Sequence, residues 1–273
     1  MKKKWLAAIA TLALGALVLT GCGKQKETTI TVGASSTPHA EILKHVQPQL
    51  KKEGVNLKIK TFQDYVLPNK ELASGDLDAN YFQHQPFLDN WNKKNKGTLV
   101  SVGKVHLEPI GIYSKKYKKL SDLPNGATIL VSNNVSDYGR VLQILKDAGL
   151  ITLKPGTKIE TATFKDIQTN KKNLKFKTDL EPKLMTQFYK RGEGDAVVIN
   201  ANYAVQAKLN PKKDAIALEK TSSPYANIIA VRKSDKNKAA IKKLVKALQS
   251  KSTQEWISKH YNGGVIPVYP NGK

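Results

Sequence analysis

Residues 29–62 read TITVGASSTPHAEILKHVQPQLKKEGVNLKIKTF. Thr29–Gly33 is a short β-prone run. Thr37 followed by Pro38 has the form of a helix start, an N-cap with proline at the first helical position. Ile42, Leu43, Val46 and Leu50 then recur at helical spacing until Gly54 closes the element. Val55–Phe62 alternates apolar and polar residues, which is the period of a strand. A strand, an amphipathic helix and a second strand in so short a stretch specify a β-α-β unit and hence a parallel sheet.

Working outward, the same grammar continues. Asn69–Ser74 reads as a short helix stopped by Gly75, and Ala79–Gln83 as a strand. Thr98–Ser114 is β-rich and broken by Pro109. After the turn-rich Leu120–Gly126 a second α/β series begins with a strand at Ala127–Ser132. Ser136 is placed to cap a helix carrying Val141, Leu142, Leu145 and Ala148 on one face. Ala196–Ile199 is a buried strand followed by a helix from Tyr203, and Ile228–Val231 is another strand. Ile241, Leu244, Val245 and Leu248 mark an amphipathic helix, and Ser252 with Glu255 forms a capping box for the last one. Two α/β series joined by long β segments predict two lobes. Residues 29–115 and 225–270 would form lobe one, and 116–224 lobe two. Ligands of such folds sit in the cleft, at strand C-termini and helix N-termini.

The 273-residue chain is strongly basic, with 45 Lys and Arg against 22 Asp and Glu and a formal net charge of +23. Only Arg140, Arg191 and Arg232 are arginines; the rest is dispersed lysine. Specific reading of phosphate or bases favours arginine, and no aromatic-interleaved basic motif is present, so nucleic acid is not an expected partner. A basic skin facing an anionic cell envelope accounts for the charge better.

The start of the chain supports that location. Lys2–Lys4 precede an uncharged, apolar run from Trp5 to Leu19, a signal-peptide pattern too short for an ordinary membrane span. It ends in Leu19-Thr20-Gly21-Cys22, which resembles the bacterial lipobox, and Cys22 is the single cysteine of the chain. Residues 1–21 are therefore expected to be a cleaved signal. Cys22 becomes the lipid attachment point, 22–28 a tether, and the body is held at the extracytoplasmic face of the cell membrane.

Conventional catalytic motifs are absent: no G-x-S-x-G, no Walker loop, no H-E-x-x-H. An enzyme is not expected, nor a cofactor. His39, His45, His84, His106 and His260 include no i,i+4 pair, and the reading is that no carboxylate stands at ligand spacing, so no metal site is expected. The cleft candidates follow strands. Tyr65 lies after Val55–Phe62, and Phe82 and His84 lie at the end of Ala79–Gln83. Arg140 sits in the first turn of its helix, where a guanidinium adds to free N–H groups and suits a carboxylate. Asn200 follows a buried strand and can both donate and accept. Asn227 falls where the chain returns to lobe one.

The blocks VGASSTPHAEIL, FQDYVLPN, GDLDANYFQHQPFLD, GRVLQILKDAGLI, AVVINANYA and SPYANIIAV resemble, in order, those of the methionine-binding lipoproteins of bacterial ABC importers. The resemblance implies a type II periplasmic-binding-protein-like fold with a hinge. It implies a monomer that captures an amino acid and delivers it to ABC permease and ATPase subunits. It also places Tyr65, Phe82 and His84 around the ligand side chain, Arg140 on its carboxylate, and Asn200 and Asn227 on its amino and carboxylate groups. Three features depart from the family pattern: Ser35-Ser36-Thr37 where proline is common, Asp137 where asparagine is common, and Lys183–Gly194. These leave open L- or D-methionine, another small amino acid or a methionine-containing dipeptide. A basic cell-surface adhesin is the rival from another class.

Overall fold

The computed structural model describes residues 27–220 and 223–269. The signal, Cys22 and most of the expected tether lie outside them. The chain runs β1 (Thr28–Ser35), α1 (Glu41–Lys52), β2 (Val55–Phe62), α2 (Leu67–Ser74), β3 (Ala79–His84), α3 (Gln85–Asn95), β4 (Leu99–Leu107) and β5 (Gly111–Tyr113). Then come β6 (Thr128–Ser132), α4 (Tyr138–Asp147), β7 (Ile151–Leu153), β8 (Ile167–Asn170), β9 (Lys175–Leu180), α5 (Met185–Arg191), β10 (Ala196–Ile199), α6 (Ala201–Gln206), α7 (Pro211–Asp214) and β11 (Ala217–Leu218). The chain returns through β12 (Ala226–Arg232), α8 (Ala239–Leu248), α9 (Lys251–Tyr261) and β13 (Ile266–Pro267).

The opening β-α-β unit forms as its sequence predicts. β1 pairs in parallel with β2 and with β3. Ile42, Leu43, Val46 and Leu50 of α1 are all buried against that sheet, in a core completed by Ile241, Leu244 and Leu248 of α8. Burying an apolar stripe of this kind contributes roughly 1.5–3 kcal/mol per large side chain. The full sheet runs β13-β4-β12-β3-β1-β2, with returning strand β12 inserted antiparallel between β3 and β4. A second sheet runs β11-β5-β10-β6-β9 and has its own core around Ile112, Ile129, Val131, Val141, Leu142 and Leu145. A two-stranded sheet, β7-β8, stands beside it.

Two sheets with separate cores make the expected α/β lobes. The chain crosses between them at 108–110 and again at 219–225, around Pro109 and Pro224. The expected extent of lobe one needs one correction. Gly111–Tyr113 belongs to the second sheet, because Tyr113, Ile112 and Gly111 pair with Val197, Val198 and Ile199 of β10. Proline at 109 interrupts the β-run where the chain changes sheets, so the change precedes the turn-rich segment rather than following it.

Helix starts are also corrected. Thr37 is extended, and its hydroxyl donates to the Glu41 carboxylate at 2.6 Å instead of capping a backbone N–H. Asn134, not Ser136, accepts from the first free N–H ahead of α4. Ser250, not Ser252, caps α9 by accepting from the Thr253 N–H at 3.3 Å. The Gly75 stop holds: it closes α2 at φ +98°, a conformation that favours glycine. Among the described residues no helix is long and apolar enough to cross a membrane.

Candidate functional site

All six residues singled out in the sequence line one cavity between the lobes. Tyr65, Phe82, His84, Arg140, Asn200 and Asn227 are joined there by Gln83, Phe87, Glu108, Asn134, Asp137, Ala201 and Asn202. The cavity measures about 30 Å³, room for no more than a few waters. A groove of about 300 Å³ opens at its mouth and shares Tyr65, Phe87 and Asn134 with it.

One wall is aromatic. Phe82 and His84 both reach the cavity from the end of β3, where a register shift against β12 falls at Phe82. The Tyr65 ring centroid lies 6.1 Å from Phe82, 6.0 Å from Phe87 and 5.3 Å from Tyr203. Its hydroxyl donates across the lobes to Asn202 Oδ1 at 2.6 Å. His84 is held at both nitrogens. Nδ1 accepts the Phe87 N–H at 3.2 Å and so caps α3, and Nε2 meets Asp137 Oδ1 at 3.1 Å.

The opposite wall is a charged network built around α4. Asp137, 1 % exposed, takes hydrogen bonds at both oxygens. Oδ1 receives His84 Nε2 and Arg140 Nη1, the latter at 3.0 Å. Oδ2 receives Asn134 Nδ2 at 2.7 Å and Asn200 Nδ2 at 2.8 Å. Burial alone would raise its pKa, but the His84 contact and the Arg140 charge outweigh that and hold it well below the usual carboxylate range. Arg140 grips Glu219, with Nε at 3.0 Å from both carboxylate oxygens and Nη2 at 2.5 Å from Oε2. Nη2 also donates to the Glu108 carbonyl at 2.7 Å, and the guanidinium lies 4.8 Å from the Tyr225 ring centre. The expected carboxylate clamp is thus already engaged by two side chains of its own lobe. One Nη1 hydrogen remains, out of the five N–H groups an arginine carries.

The histidines hold the largest surprise. His106 is two residues from Glu108, and on a strand that spacing is enough. His106 Nε2 meets Glu108 Oε1 at 2.7 Å, and His39 Nε2 meets the same oxygen at 3.2 Å and Asn227 Oδ1 at 2.9 Å. The Tyr81 hydroxyl bonds His106 Nδ1 from behind. Burial pushes His39 down to about 4, against the pull of Glu108, and His106 down to about 3. Burial raises Glu108, against the pull of His39 and Arg140. The reading that no carboxylate stands at ligand spacing is therefore corrected. His39, His106 and Glu108 offer ligand atoms within 4.8 Å of one another. The neutral His106 ring, however, spends Nε2–H on the carboxylate oxygen and His39 spends its own on Asn227 Oδ1, so a cation would have to displace both bonds. His45 and His260 lie elsewhere, stacked on either side of Trp256.

Sequence reasoning missed Glu108, Asn202, Phe87 and Glu219 as members or supports of this site. Asn202 and Phe87 sat inside blocks already singled out. Glu219 is 79 positions from Arg140 and carried no local signal.

Comparison with known proteins agrees with this architecture. The family model described as NlpA lipoprotein matches residues 30–269. The methionine-binding lipoprotein MetQ of Bacillus subtilis (strain 168) is 51 % identical over 273 residues, covering 98 % of this chain and 99 % of the relative. A nutrient binding protein from Burkholderia cenocepacia, solved bound to methionine, superposes with a TM-score of 0.82 at 47 % identity, covering 88 % of this chain and 100 % of that one. An ABC transporter periplasmic substrate-binding protein from Coxiella burnetii superposes with a TM-score of 0.82 at 38 % identity, covering 88 % and 100 %.

Proposed function

The chain belongs to the NlpA lipoprotein family, and on that premise we propose that it is the solute-binding component of an ABC importer. It captures methionine, L or D, or a close relative, and hands it to a membrane permease driven by an ATPase subunit. The observation that carries this reading is the convergence of Tyr65, Phe82, His84, Arg140, Asn200 and Asn227 on one interlobe cavity, apolar on one side and polar on the other.

A thioether side chain suits the aromatic side. Sulfur against aromatic edges contributes about 0.3–1.5 kcal/mol, and Tyr65, Phe82 and Phe87 present such edges. The amino-acid end meets the remaining Arg140 N–H and the amides of Asn200 and Asn227. The cavity is smaller than an amino acid, and cross-lobe bonds close it, among them Tyr65 to Asn202, Tyr203 to the Gln63 carbonyl and His84 to Asp137. Entry and release therefore require the lobes to part about the two crossovers, a hinge motion with no covalent step. Lipid on Cys22 keeps the protein at the extracytoplasmic face, next to its permease.

The test is the identity of what the protein carries. Full-length protein purified gently, then denatured, should release methionine or a methionine-like compound detectable by mass spectrometry. Release of a sugar, a nucleotide or a charged amino acid in its place would overturn the substrate.

A further inference from the structure

We propose that Glu108 is the receptor for the ligand's ammonium group; this rests on the amino-acid reading above. Two carboxylates line the cavity, and their surroundings divide their roles. Asp137 has no room for another donor, since its oxygens already take His84, Arg140, Asn134 and Asn200. It organises the site from within. Glu108 is different. Its Oε1 takes the His106 N–H at 2.7 Å and lies 3.2 Å from His39 Nε2, which bonds Asn227 Oδ1, and the Asn202 backbone N–H lies near the carboxyl. No side chain among the described residues donates to Oε2.

Charge separates them further. Arg140 spends its charge on Glu219 and Asp137 and reaches Glu108 only through the backbone carbonyl. His39 and His106 are neutral in their buried positions and supply N–H groups without a full charge. Glu108 is therefore a carboxylate about nine-tenths buried, in a ligand cavity, with no cation of its own. Such a group is costly unless a positive charge joins it, and a ligand ammonium is that charge.

The neighbouring donor completes the pattern. His39 Nε2 touches Glu108 Oε1 and Asn227 Oδ1 together, which turns the Asn227 amide nitrogen away from the histidine as a free donor. An acceptor for ammonium and a donor for carboxylate thus stand on either side of one imidazole. That spacing suits two groups carried on one α-carbon. Because Glu108 begins the first crossover between the sheets, closure of the lobes and capture of the ammonium meet at one residue.

Titration of the full chain and of Glu108→Gln with L-methionine and with 4-(methylthio)butanoate, which lacks only the amino group, tests this. The wild type should prefer methionine by about a hundredfold, the scale of a buried charge pair. Glu108→Gln should lose most of that preference while binding the amine-free analogue as the wild type does. Equal binding of the two compounds by the wild type, or an unchanged preference in Glu108→Gln, would overturn the assignment. So would a stoichiometric metal ion that remains after dialysis and is lost in Glu108→Gln. Where Glu108→Gln folds poorly, Glu108→Asp, which keeps the charge but shortens the reach, takes its place and should lose part of the preference; an unchanged preference there would equally overturn the assignment. A wild type silent to methionine would instead bring down the substrate reading on which the assignment rests.

Discussion

At the scale of single residues, Arg140 and Asp137 hold together the elements that line the cavity. Arg140 ties α4 to Glu219 and to the Glu108 carbonyl, so it braces both crossovers. Arg140→Ala should weaken methionine binding by about 2–5 kcal/mol, the range for breaking a buried charge-assisted pair. It should also lower the denaturant midpoint, because Glu219 and Asp137 lose their cation. Arg140→Lys should restore only part of both, since a point charge replaces a planar fork. Calorimetry with urea unfolding reads the two effects, and an affinity within about twofold of wild type for Arg140→Ala would remove it from the site. Arg140 was legible because arginine is rare in this chain and sits at a helix start. Glu108 is less legible: helical spacing does not link it to a histidine, and it is the period of two at a strand's end that puts His106 and Glu108 on one face. Glu219 had no such signal, because only the fold brings a two-residue strand to α4.

At the scale of elements, α4 is the part that aims the site, and its position depends on Gly139. A Cβ there would lie 1.7 Å from the Ile159 carbonyl oxygen, so α4 packs directly on the backbone of the 159–161 turn. Gly139→Ala must push the two apart. It should destabilise the protein by about 1–3 kcal/mol, the usual cost of overpacking, and weaken ligand binding by moving Arg140. Urea unfolding and titration of one variant check both, and wild-type behaviour in both would contradict the account. Apolar periodicity placed nearly every helix and strand that matters here, since burial of one face fixes it. Caps were harder to place. Ser136 and Ser252 each have a competing polar residue two positions earlier, Asn134 and Ser250, whose backbone is extended just before the first turn, while Thr37 is extended but gives its hydroxyl to the Glu41 carboxylate.

At the scale of the whole molecule, the two lobes follow from two sheets that share no strand, each with its own pair of buried apolar clusters. The sequence carried both, but the change of sheet at 108–110 was hidden by a β-run that looks continuous on either side of Pro109. Stability should also show the buried histidines. His39 and His106 are held neutral, near 4 and 3, against an ordinary value of 6.5. As pH falls below that ordinary value, the unfolded chain takes up protons the folded chain refuses, so stability falls down to the folded values. Glu108, raised by burial, works in the opposite sense: its penalty begins above its ordinary value of 4.5 and grows with pH. Two histidines against one carboxyl predict a lower thermal midpoint at pH 5 than at pH 7, and a flatter profile when both are changed to glutamine. Equal midpoints at the two pH values in the wild type would contradict it. The anchor belongs to this scale too. Cys22→Ala should leave the protein unprocessed or released from membranes on fractionation, and normal cleavage with full membrane retention would count against lipid at that residue.

The central claim is that the interlobe cavity reads an uncharged, methionine-like side chain between aromatic walls. Tyr65, Phe82 and Phe87 carry no charge, and the charged side chains Asp64, Lys70 and Lys94 line the outer groove rather than the cavity, so a second charge on the ligand would be buried without a partner. Calorimetric titration of ligand-freed protein against a panel of amino acids tests this most directly. Methionine or a close relative should outcompete glutamate, lysine and histidine by at least about a hundredfold, roughly 2.7 kcal/mol. Tight binding of a charged or bulky aromatic amino acid, with methionine giving no heat, would contradict it.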